Sequence, residues 1–203
     1  MLLRKKEYQR QSIRGKKCPG EFPAGRESGQ TGGITGLFFT LFLGVMLCAA
    51  LQLEHYRAAS LYLEDALAAS NLASAVVDVR EYGISHNILI AQPEKAYRIY
   101  RRAVMGNLNL DAAWEGQAGS LVQGPVSIER YIVYNVQDGE VAVYDFDGDG
   151  RMSQRREALG SVASPNGIPI ESTSVYSEIA FEVKGLFGVT VKARKGNLAD
   201  ISR

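Results

Sequence analysis

Between Ser28 and Leu53 the chain carries no charged side chain, and its strongly apolar part is Ile34 to Leu53, ITGLFFTLFLGVMLCAALQL. Twenty helical residues span about 30 Å, the thickness of a hydrocarbon core. The run is apolar on all sides, so as a helix it has no face for water. It therefore predicts a transmembrane helix, and everything after it must fold outward from the end of that helix.

Charge sets the direction. Residues 1–33 hold eight Lys and Arg against three Asp and Glu, whereas residues 34–203 hold 15 against 19. Arg4, Lys5, Lys6, Arg10, Arg14, Lys16, Lys17 and Arg26 precede the run, and Glu54, Glu64, Asp65 and Asp78 dominate the stretch after it. The positive-inside rule then predicts a single-pass protein of the cell membrane, with a cytoplasmic N-terminus and an extracellular C-terminal domain. A nucleic-acid binder would carry its basic face on the folded part. Here the basic charge lies in a leader, so no nucleic-acid partner is expected. Cleavage by signal peptidase after Ala50 is the competing reading, with Cys48 and Ala50 as its small residues. The long leader and the lack of a helix breaker after the run weigh against it. Leu47 is too large to precede a lipidated cysteine, which weighs against an anchor at Cys48. Cys18 and Cys48 are the only cysteines, so the outer part has neither a disulfide framework nor a thiolate metal site. His55 and His86 have no second ligand near them in sequence.

Glu54 to about Arg80 has no Gly or Pro and is rich in Ala, Leu and Glu, which predicts that the helix continues outward. Tyr56, Ala59, Leu63, Ala66, Ser70, Ala73 and Val77 recur at steps of three and four. Within that stripe Ala59, Ala66 and Ala73 fall every seventh residue, a spacing that lets another helix approach closely. The stripe packs either on the protein's own domain or on neighbouring subunits. Tyr82-Gly83 is expected to end this helix. Pro93, Glu94 and Gly106 bracket a second helix from Pro93 to about Met105. Its apolar face is Ala96, Tyr97, Tyr100, Ala103 and Val104, and Arg98, Arg101 and Arg102 lie off that face.

Beyond it the period becomes two. Ile128–Val136 and Glu140–Phe146 flank Asp138-Gly139, a strong hairpin signal. Ser174–Lys184 and Val189–Arg194 flank Gly185-Leu186-Phe187-Gly188. The expected fold is α+β: a long N-terminal transmembrane and amphipathic helix, then a small domain with a short helix and about four antiparallel strands. The divisions are a basic cytoplasmic leader (1–33), a transmembrane helix (34–53), its extracellular continuation (54–82) and an extracellular α+β domain (83–203).

No nucleophile elbow, phosphate-cradling loop or zinc-protease helix is present, and an enzyme is not expected. One local pattern stands out. Residues 145–153, DFDGDGRMS, match the first nine positions of a calcium loop. Asp145, Asp147 and Asp149 would supply carboxylates, Arg151 its carbonyl and Ser153 a further oxygen. The twelfth position is Arg156, and Glu157 comes one residue late. The alternatives are a weak calcium site and an acidic, glycine-rich turn.

These features together resemble the Tad-type (Flp-type) pilus-associated, TadE-like pseudopilins. The likeness rests on the basic leader running into Gly32-Gly33-Ile34-Thr35, on Glu54 and Arg57 just past the apolar run, and on the Ala-rich DALAASNLASAVVD. It covers roughly residues 28–80. It implies a peptidase cut after a glycine, with Gly29, Gly32 and Gly33 as candidates, and a helix that joins a filament or its assembly platform. No glutamate stands five residues after any of these glycines, which leaves a permanently anchored chain open beside a processed one. The function expected is a structural, membrane-anchored pilin-like component of a Tad/Flp-type pilus or related secretion system. Its partners would be the membrane and other pilin-like subunits or pilus assembly proteins, met through the Ala59/Ala66/Ala73 face. The rival is a membrane-anchored extracellular calcium- or ligand-binding module unrelated to pili.

Overall fold

The computed structural model describes residues 28–122, 124–185 and 188–201. The basic residues of the leader, Cys18, and Leu186-Phe187 of the second hairpin lie outside the described residues. The chain divides into two units, Met1–Met46 and Leu47–Arg203. Helix α1 (Ser28–Ser74) contributes to both.

In the first unit, Ile34, Leu37, Phe38, Phe39, Leu41, Phe42, Leu43, Val45 and Met46 are all exposed, from 51% to 68%. Large apolar side chains exposed at every angle of a helix have no packing partner among the described residues. Among the described residues one helix is thus long and apolar enough to cross a membrane, and it lies near the N-terminus.

In the second unit α1 becomes amphipathic. Ala59, Leu63, Ala66, Leu67, Ser70, Asn71 and Ser74 are buried. The helix was expected to run to about Arg80, but it stops at Ser74. Val77 forms an antiparallel bridge to Ile90, and the Asp78 N–H donates to the Leu89 carbonyl at 2.8 Å. Asp78 then caps a new helix, α2 (Val79–Ser85), its carboxylate accepting from the Arg80 and Glu81 N–H groups. Tyr82-Gly83 therefore sits inside a helix instead of ending one. Two β-branched valines followed by a good capping residue explain the switch. Helix α3 (Pro93–Asn107) begins on Pro93 and buries Ala96, Tyr97, Tyr100 and Val104 of its expected apolar face, with Ala103 half-buried. Arg98, Arg101 and Arg102 are exposed.

Five strands complete the domain: β1 (Ser127–Gln137), β2 (Glu140–Asp147), β3 (Met152–Ala158), β4 (Ser174–Lys184) and β5 (Thr190–Asp200). They form one antiparallel sheet in the order β3-β2-β1-β4-β5. The sheet has five strands where about four were expected. The additional one is β3, MSQRREA, which is exposed along nearly its whole length and so shows no apolar alternation. Charged side chains on such an edge also discourage pairing with another chain. Central β1 is buried continuously from Tyr131 to Asn135, because both sheet faces are covered. One face packs on α1 and α3 through Leu63, Leu67, Tyr100, Tyr131, Val133, Val175 and Ile179. The other carries Ile132, Tyr134, Val141, Val143 and Tyr176 under Val162 and Ile170 of the β3–β4 connection.

Candidate functional site

The acidic hairpin was the sequence's candidate for chemistry. Asp145 and Ser153 are paired across β2 and β3, and the chain reverses between Asp147 and Arg151. The Asp147 carboxylate accepts from the Asp149 N–H at 3.0 Å and the Arg151 N–H at 2.8 Å. This oxygen closes an Asx turn, the local role for which aspartate is favoured. Gly150 adopts φ of 78°, a left-handed conformation that suits glycine, and a Cβ there would come 3.1 Å from the Tyr97 ring.

Asp145 points elsewhere. Arg130 of β1 grips it with two hydrogen bonds, 3.0 and 2.6 Å, and Arg155 of β3 stands 3.9 Å away. Hydrogen bonding to Asp145 holds the Arg130 guanidinium above its ordinary pKa. Asp149 is exposed and 3.8 Å from Arg151. Glu157 accepts a hydrogen bond from Arg155 at 2.5 Å. Asp145, Asp147, Arg151 and Ser153 do line one open surface groove, together with Glu129, Arg130 and Met152. Asp149 lines a neighbouring groove with Tyr97, Arg101 and Trp114, where the Arg101 guanidinium lies 5.3 Å over the Trp114 ring. Among the described residues, no group of three or more His, Cys, Asp or Glu comes together as a metal site would require. Arg130 of β1 and Arg155 of β3 place positive charge beside Asp145.

The helix stripe is placed unevenly. Ala59 and Ala66 are buried in the chain's own core at 1% and 7% exposure, whereas Ala73 is exposed. The same face carries a polar seam that sequence spacing did not reveal. The Tyr131 hydroxyl donates to Ser74 Oγ at 2.8 Å, and Ser74 Oγ donates to the Asn71 carbonyl at 2.7 Å. Asn71 Nδ2 donates to the Asn197 carbonyl of β5 at 3.1 Å, and Asn107 Nδ2 to Ser70 Oγ at 2.9 Å. These bonds fix the angle and register of α1 on the sheet, a specificity that apolar contacts alone do not give. Only Ser70 belonged to the seven-residue stripe, although Asn71, four residues after Leu67, and Ser74, four after Ser70, fall on the same side of the helix.

Burial is the main cause of the raised tyrosine pKa values. It pushes Tyr134 and Tyr176 up to about 12, and Tyr100 and Tyr131 higher still. These phenols are packing groups. Tyr97 stacks on Phe146 at 4.8 Å, and Tyr100 lies 4.7 Å from Tyr131.

The feature with no local explanation is the apolar surface. Leu47, Leu51 and Leu53 of the second unit are 50% or more exposed and continue the apolar run. Compared with family models, curated proteins and solved structures, the chain matches none.

Proposed function

We propose that this chain is a membrane-anchored, pilin-like structural component of a Tad/Flp-type pilus or related secretion system. One observation carries the reading. Helix α1 is apolar and exposed on all sides from Ile34 to Met46, and from Ala59 to Ser74 it is the core element of an antiparallel sheet domain. A single helix therefore serves as both membrane anchor and scaffold for a displayed domain. In water, so large an exposed apolar surface is unfavourable by about 25 cal/mol per Å², so it belongs in lipid or among other helices. The charge asymmetry supports a cytoplasmic N-terminus and an outward C-terminal domain. Association with like subunits would use the apolar run itself. A seam through Ala59 and Ala66 would also require opening their packing against the sheet.

The test is photo-cross-linking in the native envelope from a benzophenone amino acid replacing Phe42. A ladder of multiples of the monomer mass, or adducts with secretion-system proteins, supports the reading. Monomer alone, in cells where the secretion system is assembled, rejects it.

A further inference from the structure

The β4–β5 hairpin ends against α1 at one particular height. The Gly185 N–H donates to the Val189 carbonyl at 2.8 Å, and the Gly188 N–H to the Gly185 carbonyl at 3.0 Å. Gly185 is buried. A Cβ on it would overlap the Gln52 amide and lie 2.6 Å from the Tyr56 hydroxyl. A side chain at 185 would have to displace the far ends of these two side chains, so Gly185 lies directly against them.

That height is the end of the apolar run. Gln52 is its penultimate residue, and its neighbours Leu51 and Leu53 are 53% and 50% exposed. Tyr56 stands about 4.5 Å further along the helix axis than Leu53. A headgroup layer is about 5–8 Å deep on each side of the hydrocarbon core. With the hydrocarbon edge at Leu53, Gly185, which meets both Gln52 and Tyr56, falls within that layer. The residues around it suit the location: Val189 and Val191 are 60% and 40% exposed, Lys184 is exposed beside them, and Lys192 is exposed and paired with Glu182 at 3.0 Å. Apolar side chains flanked by lysines, next to a tyrosine, are the usual makeup of interfacial contacts.

We propose that this hairpin end is a second membrane contact, seated in the phospholipid headgroup layer through Val189, Val191 and Lys184. The proposal rests on the membrane-anchored reading. Lipid is the occupant because α1 at the same height is already at the edge of the hydrocarbon core.

The experiment uses the full chain with Cys18→Ser and Cys48→Ala, and single cysteines introduced as Val189→Cys, Leu51→Cys or Asp138→Cys. Each carries a bimane label. The protein is reconstituted in phosphatidylcholine–phosphatidylglycerol vesicles, with and without phosphatidylcholine brominated near the top of its acyl chains. Asp138 is the distal control. The pairings Ser127↔Ala180 and Tyr134↔Ser174 put the β1–β2 turn at the opposite end of the sheet from Gly185. The expected result is loss of emission at Val189 and Leu51 and none at Asp138. Quenching at Leu51 without quenching at Val189 overturns the hairpin contact and leaves the anchor standing. No quenching at Leu51 overturns the anchor, and the hairpin contact with it.

Discussion

Gly196→Ala is expected to destabilise the sheet domain although the backbone there is compatible with alanine. Gly196 lies within β5, opposite Glu178, and its φ is not in the left-handed region. A Cβ would overlap the Tyr176 hydroxyl and come 2.9 Å from Cζ and 3.2 Å from Cε2 of the same ring. Tyr176 cannot withdraw easily. It is 1% exposed, packs with Ile132, Tyr134, Val141 and Ile170, and donates from its hydroxyl to Asn166 Oδ1 at 3.2 Å. Overpacking a core typically costs about 1–3 kcal/mol. Replacing glycine gains about 0.4–1 kcal/mol by restricting the unfolded chain. Taking the middle of each range, the net is a loss of about 1.3 kcal/mol, or a fall in Tm of roughly 3–5 °C for a domain of this size. The assay is thermal unfolding of the full chain in detergent, monitored by near-ultraviolet circular dichroism. Tyr176→Phe removes the overlapping oxygen. Alone it loses about 0.5–1.5 kcal/mol with the Asn166 bond, and combined with Gly196→Ala the two losses must sum to less than their parts. A Gly196→Ala protein as stable as the parent, or strictly additive losses, would refute the reasoning.

Three further outcomes are expected. Ala66→Leu should lower the domain's stability by about 1–3 kcal/mol while the exposed Ala73→Leu changes little; an unchanged Tm with lost assembly would instead make this face a seam between subunits. The buried tyrosines stay protonated in the fold when the unfolded chain, with phenols near 10.0, ionises. Their contribution is therefore complete below pH 10 and is lost as pH rises towards about 12. Denaturant midpoints should fall across that window, and tyrosinate absorbance in a still-folded protein below it would be a contrary result. Asp147→Ala should cost about 1 kcal/mol through the two N–H groups it leaves unpaired. If the hairpin is only an acidic turn, the parent's Tm should be the same in chelator and in millimolar calcium; a calcium-dependent rise abolished by Asp147→Ala would support the metal reading of the hairpin.

Where periodicity was strong, the elements were legible. The Pro93-led helix and the Asp138-Gly139 hairpin appear within two residues of their expected bounds, and the apolar run lies within α1. What escaped detection had no periodic signature. Strand β3 is an exposed edge without apolar alternation. Strand β5 was expected to end at Arg194 and runs on to Asp200, because Gly196, which weakens a strand reading, is there to admit the Tyr176 ring. In the acidic hairpin the sequence showed the carboxylates. It could not show that Arg130, fifteen residues before Asp145, would lie across the strand pair and grip it. Nor could spacing place Gly185 beside Gln52, a contact made only once the sheet has closed on the helix.

The central claim is that α1 anchors the chain and displays the sheet domain outside. It is tested most directly by protease added to intact cells stripped of their wall or outer layer, with an epitope at the C-terminus. The account predicts loss of the epitope in intact cells, with an N-terminal fragment that stays in the membrane pellet through alkaline extraction. An epitope protected until the membrane is permeabilised, or a chain released by alkali, would contradict it.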